Sequence, residues 1–139
     1  MSSLDDIAIV VQQGNADTDS PSGQVLAILS EIESMLGALI DSGNTDSIDI
    51  RSLPMMPGDY EMLKKRLGQG EVSATVNALG PTQIQETGIH GVWWVTHYNA
   101  DNDVMAEFIE VCQVPAMINT DMEDVQEGRG ELNELILSN

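Results

Sequence analysis

The spacing of apolar residues changes along this chain from the period of a helix to the period of a strand. Between residues 24 and 40, apolar side chains recur three, four and seven positions apart, which predicts a helix with one apolar face. After Gly70 the pattern alternates, with Val72, Ala74 and Val76 separated by polar residues, which predicts a half-buried strand. The two patterns in succession restrict the chain to folds in which helices pack against a sheet.

Two further helices are predicted from the residues at their ends. One begins near Pro57 and ends at Gly68, with carboxylates in its first turn and basic residues in its last, an arrangement that complements the helix dipole. The other begins at Thr120, which is followed three positions later by Glu123, as in a capping box. Two glycines in its middle each cost about 1 kcal/mol relative to alanine, so we expect this helix to be bent or marginal there.

Four strands are predicted between the second and third helices. They cover residues 72–78, 82–87, 92–98 and 104–114, and turn-forming residues separate them. Short connections between successive strands favour an antiparallel meander. The predicted fold class is therefore α+β, with an antiparallel sheet of about four strands and two to three helices packed mainly on one face.

Length and charge limit the organisation and the partners of the chain. Its 139 residues suit one domain. We expect residues 1–23 to be an N-terminal arm and linker, because residues 14–23 are mostly polar and turn-forming, and residues 24–139 to be the single domain. With 23 Asp plus Glu against five Lys plus Arg, the formal net charge of −18 argues against nucleic-acid and anionic-membrane partners.

The apolar runs of the sequence are short. The longest, at residues 7–11 and 92–95, fall far below the roughly 20 residues needed to span a bilayer. No basic residue precedes an apolar stretch at the N-terminus, as it would in a secretory signal. We therefore expect a soluble, cytoplasmic protein.

Two adjacent tryptophans occupy the third predicted strand. Successive side chains of a strand point to opposite faces, so Trp93 and Trp94 cannot enter the same core. A simple hairpin gives three cross-strand pairs: Tyr98 with Val104, Trp94 with Phe108, and Trp93 with Ile109. The face covered by helices then carries Val92, Trp94, Tyr98, Val104, Ala106, Phe108 and Cys112.

The opposite face of this hairpin is solvent-exposed in a two-layer domain. It carries five residues that form a candidate docking patch for a partner or a second copy: Trp93, Val95, His97, Met105 and Ile109. The alternative is that residues 1–11 or the C-terminal helix cover this face.

Three residues outside the hairpin extend the candidate contact region. Pro54 and Met55 precede the second helix, and adaptable methionines suit a partner groove, although filling a core is the commoner use. Glu86 lies among strand residues, where a carboxylate must be paired if it is buried. Arg51 or Lys65 could pair with it, or it could reach solvent or a partner.

Glu86, His90 and Cys112 support an alternative function as a metal-binding factor or metallochaperone. The hairpin register puts His90 near Cys112, and a nickel, iron or zinc site could be built from these groups. Cys112 with His90 could also form a nucleophile pair. However, the spacing matches no ligand motif, and the sequence contains no phosphate loop and no nucleophile elbow. We expect no bound metal, no cofactor and no catalytic residues.

An ordered series of short blocks resembles a known family. The blocks are Leu-Pro-Met at 53–55, Leu-Gly-Gln-Gly-Glu-Val-Ser-Ala at 67–74, Glu-Thr at 86–87, Gly-Val-Trp-Trp-Val at 91–95, Phe-Ile-Glu at 108–110 and Val-Pro at 114–115. Their order is more specific than any one block. Together they resemble the conserved module of hydrogenase expression/formation proteins of the HupH/HyaF type, whose members are commonly much longer than this chain.

This resemblance implies an accessory role in the maturation of an uptake nickel–iron hydrogenase. It implies a non-enzymatic chaperone that holds the precursor of the iron–sulfur small subunit, with that precursor and other maturation proteins as partners. The Trp-containing sheet face is the expected contact, and a homodimer is the favoured oligomer. An acidic surface is compatible with this role because it attracts the basic leader of such a precursor.

Overall fold

The computed structural model describes residues 22–138 of the chain. The helices and strands are α1 (Gly23–Ser42), β1 (Asp46–Asp49), α2 (Asp59–Leu67), β2 (Ser73–Asn77), β3 (Pro81–Glu86), β4 (Val92–Tyr98), β5 (Val104–Val111) and α3 (Met122–Leu137). Short 3-10 helices lie at Ile50–Ser52 and Ala116–Ile118. The predicted N-terminal arm falls almost wholly outside the described residues.

Within the described residues, the strands form one five-stranded antiparallel sheet in the order β1-β5-β4-β3-β2. Strands β2 to β5 are the predicted meander, and the α+β class is confirmed. The fifth strand, β1, pairs with β5 through Ile48 opposite Ile109. Sequence patterns do not reveal β1, because only Ile48 of its four residues is apolar and buried.

Helix α1 covers one face of the sheet and agrees with its prediction. The hydroxyl of Ser22 caps its first turn by accepting from the backbone N–H of Val25 at 3.1 Å, and the left-handed Gly43 ends it at φ 73°. Four side chains spaced three or four residues apart, about one helical turn, are buried: Val25, Ile28, Ile32 and Met35. By length and composition alone α1 could cross a membrane. Its apolar stripe packs into the core, as in the core helix of a globular domain.

Helix α2 lies between Gly58 and Gly68, close to its predicted ends. Leu63 and Leu67 point into the core, and Tyr60 is half-buried. The buried carboxylate of Asp59 accepts from the backbone N–H of Met56 at 2.8 Å, which fixes the turn before the helix.

Helix α3 differs from its prediction in two respects. Its N-cap is Asp121, whose carboxylate accepts from the backbone N–H of Asp124 at 2.9 Å, and not Thr120. The helix also runs without a break through Gly128 and Gly130. None of its residues, Met122–Leu137, is buried, so within residues 22–138 the α-helices that pack on the sheet are α1 and α2.

The core is divided between the two faces of the sheet. The larger cluster lies under α1 and α2 and includes Val92, Trp94, Ile109 and Val111 of the central strands. The smaller cluster lies on the opposite face and consists of Ile84, Trp93, Val95 and Cys112, with Ala74, Val76 and Ile118 packed against it.

The register between β4 and β5 agrees with the predicted hairpin only next to the turn. Tyr98 pairs with Val104 as predicted, but a register shift between His97 and Tyr98 leaves Met105 without a partner. Beyond this shift, each residue of β4 pairs with the residue of β5 one position later than predicted. The side chains of β5 therefore point to the opposite faces from those predicted.

This shift corrects the predicted faces of Ala106, Phe108, Ile109 and Cys112. Ala106 pairs with His97 and lies on the face opposite the helices, not on the helix-covered one. Trp94 pairs with Ile109, and Ile109 lies on the helix-covered face instead of the exposed one. Phe108 pairs with Val95, and both Phe108 and Cys112 lie on the face opposite the helices.

Candidate partner-binding site

Trp93 is enclosed by the smaller core. Its side chain is 6% exposed, and its indole N–H donates to the backbone carbonyl of Cys112 at 3.2 Å. Trp94 is 4% exposed in the core on the other side. The prediction that the two rings enter opposite faces is confirmed, but the expectation that Trp93 lies on a wet face is wrong.

The cover of Trp93 includes a segment distant in sequence. Ile118, in the 3-10 helix at Ala116–Ile118, packs against the cluster that contains Trp93. Residues 1–11, the first predicted cover, lie outside the described residues. The second, α3, has no buried residue in Met122–Leu137.

The other members of the predicted patch do not form one surface. Val95 and Ile109 are buried, at 1% and 0% exposure, on opposite faces. His97 is half-buried, hydrogen-bonds through Nδ1 to the Thr82 hydroxyl at 2.9 Å, and meets Phe108 edge-on. Met105 is exposed.

Glu86 is buried and held by neighbours other than those expected. One carboxylate oxygen accepts from the backbone N–H of Val72 at 3.4 Å, and the other lies 3.3 Å from Nδ1 of His90. Gly70 is required beside it, because a Cβ there would lie 2.5 Å from the backbone carbonyl oxygen of Thr87 and 2.7 Å from the Glu86 carboxylate. Arg51, one of the two predicted bases, instead donates to the Val104 carbonyl at 2.5 Å.

The three candidate metal ligands are not brought together. The His90 side chain is 96% exposed and contacts Glu86. Cys112 is buried, and desolvation, with a smaller contribution from the Glu110 charge, raises the pKa of its thiol to about 11. Such a thiol is protonated near neutral pH and is a weak nucleophile. Within residues 22–138, no three His, Cys, Asp or Glu side chains are placed to hold a metal ion.

A polar site centred on Glu107 lies on the helix-covered face. Glu107 is 6% exposed. One of its oxygens accepts three hydrogen bonds, from the hydroxyl of Tyr60 at 2.5 Å, the indole N–H of Trp94 at 2.9 Å and the hydroxyl of Thr96 at 3.3 Å. These donors compensate part of the cost of burying a carboxylate, and they connect α2 to β4 and β5.

The aromatic pair beside Glu107 is fixed in a defined geometry. The rings of Tyr60 and Trp94 meet edge-on with centroids 5.6 Å apart, and the Lys64 ammonium lies 4.9 Å from the Trp94 centroid. Burial and the hydrogen bond to Glu107 raise the pKa of Tyr60 far above its ordinary value. The phenol therefore stays protonated and keeps donating to Glu107 throughout the physiological range.

Two grooves flank this aromatic pair. The first, called here the Met55 groove, has a volume of about 440 Å³ and is lined by Ile50, Arg51, Leu53, Met55, Tyr60, Val104 and Glu107. The second, called here the lysine groove, has a volume of about 510 Å³ and is lined by Lys64, Lys65, Gly68, Gln69, Gln83, Gln85, Trp94, Thr96 and Tyr98.

The lining of the Met55 groove is mostly apolar and includes two charged residues, Arg51 and Glu107. The predicted contact residue Met55 is half-buried in this lining, and Pro54 is exposed beside it. Met56 and Met105, which directly follow lining residues in sequence, are 67% and 60% exposed. Flexible thioether side chains at an apolar groove are typical of surfaces that adapt to a protein partner.

The sequence contained one signal for this site. Glu107 interrupts the alternating apolar positions Met105 and Ile109 of β5, where a carboxylate is unusual unless it is partnered. The unshifted hairpin register placed these positions on the exposed face, where a glutamate needs no explanation. Tyr60 and Thr96 carried no separate signal.

Comparison with known proteins identifies the family of this fold. The model for the C-terminal conserved region of HupH hydrogenase expression proteins matches residues 24–138. The solved structure of the hydrogenase expression protein HupH from Thiobacillus denitrificans superimposes with a TM-score of 0.79 at 39% sequence identity, covering 86% of this chain and 100% of that chain.

Curated relatives carry related names. The hydrogenase expression/formation protein HoxQ of Azotobacter vinelandii is 34% identical over 93 residues, which are 67% of this chain and 32% of HoxQ. The protein HupH of Rhizobium leguminosarum bv. viciae is 29% identical over 118 residues, which are 84% of this chain and 42% of HupH. The chain thus spans less than half the length of these relatives. Because the family model covers nearly all of the described domain, the chain belongs to the HupH hydrogenase expression protein family and carries its C-terminal conserved region.

Proposed function

We propose that this chain is a non-enzymatic accessory protein in the maturation of a nickel–iron hydrogenase, and that it binds the precursor of the iron–sulfur small subunit in the cytoplasm. Support for the maturation role comes from the relatives, which are named hydrogenase expression/formation proteins. Other maturation proteins are proposed as further partners, and a homodimer as the working form.

The Met55 groove is the proposed contact with the precursor. The observation that carries this choice is the groove itself, an apolar trough of about 440 Å³ with Met55 in its wall. Exposed Met56 and Met105 enlarge the apolar surface next to its lining residues. A subunit that has not yet met its partner exposes apolar interface, and an adaptable groove can cover such a surface transiently.

The remaining predicted contact residues have a different place in this proposal. Trp93, Val95 and Ile109 are buried, so a direct contact with the precursor would first require the small core or the helix-covered core to open. Their role as contacts stays a prediction, as does that of His97 and Glu86. In the proposed mechanism they support the sheet on which the groove is built.

Charge favours the approach of a basic segment. The chain has a formal net charge of −18, and its acidic field would accelerate encounter with a positively charged leader peptide. Apolar contact in the groove would then determine the lifetime of the complex, because dissociation depends mainly on close-range contacts.

A capture experiment with two groove variants tests this proposal. The precursor is co-expressed with the chain carrying Met56→Glu or Met105→Glu, and bound precursor is quantified by mass spectrometry. The matched control is Leu79→Glu, because Leu79 is 97% exposed in the β2–β3 turn at the other edge of the sheet and receives the same charge change. We expect about tenfold less captured precursor for both groove variants, corresponding to about 1.4 kcal/mol, and no loss for the control. Equal capture by all three variants would contradict the groove assignment. Failure of the unmodified chain to capture the precursor would contradict the proposal that this precursor is its partner.

A further inference from the structure

The lysine groove brings together two of the five basic residues of a strongly acidic chain. Lys64 and Lys65 lie in the last turn of α2, at one side of the groove, and both are exposed. Although the chain has 23 Asp plus Glu, none of the nine residues that line this groove is acidic. Within residues 22–138, neither ammonium forms an ion pair with a carboxylate. The groove is therefore a local site of positive charge.

The groove presents donor groups whose hydrogen-bonding capacity the described part of the chain does not use. The Lys65 ammonium on α2 and the Tyr98 hydroxyl on β4 form no hydrogen bond with residues 22–138. The Lys64 ammonium lies 5.6 Å from the Tyr60 centroid and 4.9 Å from the Trp94 centroid. A cation above an aromatic ring keeps its N–H donors. An acceptor in the groove would therefore find donors on both of its sides.

The neutral walls of the groove are fixed by their own hydrogen bonds. The side-chain amide of Gln85 donates to three backbone carbonyls, and its oxygen accepts from Gln69 at 3.3 Å. The side chain of Gln83 accepts from the Thr75 hydroxyl at 2.8 Å and donates to the Ser73 hydroxyl at 2.9 Å. Because these side chains are already ordered, a ligand that enters the groove loses little free energy by fixing them.

The end of α2 that borders the groove favours a carboxylate over a phosphate. Phosphate sites typically use helix N-termini and clustered backbone N–H groups. Here Gly68 follows the last residue of α2 and lines the groove, so the groove borders the carbonyl end of the helix. That end carries about half a negative charge, which offsets part of the charge of the two lysines. The remaining positive charge suits a ligand with a single negative charge.

The rest of the lining suits an apolar body attached to that charge. The Tyr98 ring is half-buried, and the aliphatic stems of Lys64 and Lys65 add apolar surface to the same groove. The volume of about 510 Å³ lies within the usual range of small-ligand sites, about 300 to 1,000 Å³.

The acidity of the whole chain does not exclude an anion from this groove. One carboxylate, that of Glu107, is connected to the lining because it accepts from Trp94 and Thr96, and it also accepts from Tyr60. These donors compensate its charge. Carboxylates further away are screened beyond a Debye length of about 8 Å at 0.15 M ionic strength. Contact with the two lysines therefore dominates at short range.

We propose that the lysine groove binds an organic carboxylate with an apolar body through Lys64, Lys65 and Tyr98. The carboxylate accepts from the Lys65 ammonium and the Tyr98 hydroxyl, and Lys64 supplies the second positive charge from its place over the aromatic pair. This site goes beyond the proposed function, because it requires no hydrogenase precursor and lies outside the Met55 groove. A free organic acid and the C-terminus of a peptide both provide this chemistry.

Titration of the full chain followed by NMR tests the site. The probes are phenylpropionate, its neutral amide phenylpropionamide, and phenyl phosphate. We expect phenylpropionate to shift the indole N–H signal of Trp94 with at least about tenfold higher affinity than the amide. Trp93 lies in the smaller core on the other face of the sheet and should not shift. No shift of Trp94, equal affinities for acid and amide, or tighter binding of phenyl phosphate would overturn the proposal.

Two variants and a matched control test the donors. Lys65→Gln removes one charge, and Tyr98→Phe removes the hydroxyl but keeps the ring. Each is expected to weaken phenylpropionate binding about fivefold, as for loss of one exposed ion pair or hydrogen bond. Arg129→Gln removes the same charge from exposed α3, outside the groove, and should bind like the unmodified chain. Unchanged affinity in both groove variants, or equal weakening in the control, would overturn the proposal.

Peptide probes distinguish the two sources of the carboxylate. The tripeptide Ala-Ala-Phe is titrated with a free C-terminus and with a C-terminal amide. A peptide C-terminus is the ligand if the free-acid peptide binds at least about tenfold more tightly than phenylpropionate and the amide binds weakly. A free organic acid is the ligand if both peptides bind more weakly than phenylpropionate. Both rankings support the site. Equal affinities of the two peptides, above that of phenylpropionate, would show that the backbone and not the carboxylate is recognised and would overturn the proposal.

Discussion

Among single residues, Glu107 connects one helix and two strands through a single carboxylate oxygen. Its carboxylate is buried and receives donors from Tyr60, Trp94 and Thr96. Replacing it therefore affects α2 and two strands at once. A donor left without an acceptor in a buried site costs about 1 to 3 kcal/mol.

Glu107→Leu is expected to lower the free energy of unfolding by about 3 kcal/mol, because the three donors lose their acceptor. Glu107→Gln keeps a carbonyl oxygen in place and is expected to cost only about 1 kcal/mol, since charge-assisted hydrogen bonds are roughly twice as strong as neutral ones. Urea unfolding followed by tryptophan fluorescence measures both. Equal losses in the two variants would show that the site contributes through its charge and not through its acceptor.

Glu110 is expected to make stability depend on pH. It is half-buried, and desolvation raises its pKa above the ordinary 4.5, while the His97 charge acts in the opposite direction. In the window between the ordinary and the raised pKa, the folded state binds more protons than the unfolded state, so stability falls as pH rises through that window.

Glu110→Gln removes this penalty and should melt at a higher temperature than the unmodified chain near neutral pH, with the difference vanishing below the ordinary pKa. Differential scanning fluorimetry across a pH series measures the two curves, and Glu131→Gln on exposed α3 is the control. A difference that persists at acid pH would contradict ionisation as its cause.

At the scale of elements, the sequence predicts those helices and strands whose ends are determined by local residue patterns. Strand β4 has its predicted ends because alternation and turn residues bound it on both sides. Strand β1 was missed because its stability comes from pairing with β5 and not from its own polar residues. The unpaired Met105 and the resulting shift of β5 could not be predicted, since both registers satisfy the local alternation. Burial of Trp93 depends partly on Ile118, 25 positions further along the chain.

The N-cap of α3 provides a prediction at this scale. Asp121→Ala removes the acceptor of the Asp124 N–H, and is expected to destabilise the first turn of an exposed helix by about 1 kcal/mol. Thr120→Ala, at the position favoured by the sequence pattern, should leave the turn intact. Hydrogen exchange at the amides of residues 124 and 125 distinguishes the two variants. Faster exchange in Thr120→Ala than in Asp121→Ala would assign the cap to Thr120.

For the whole molecule, the net charge predicts how thermal stability depends on salt concentration. Even if all five basic residues formed ion pairs, 18 of the 23 carboxylates would have no basic partner. Their mutual repulsion destabilises the compact state, and salt screens it, since the Debye length shortens from about 30 Å at 0.01 M to about 8 Å at 0.15 M. We expect Tm to rise by about 3 °C over that range, corresponding to relief of about 1 kcal/mol. A Tm that falls with salt would mean that specific ion pairs outweigh the repulsion among the carboxylates.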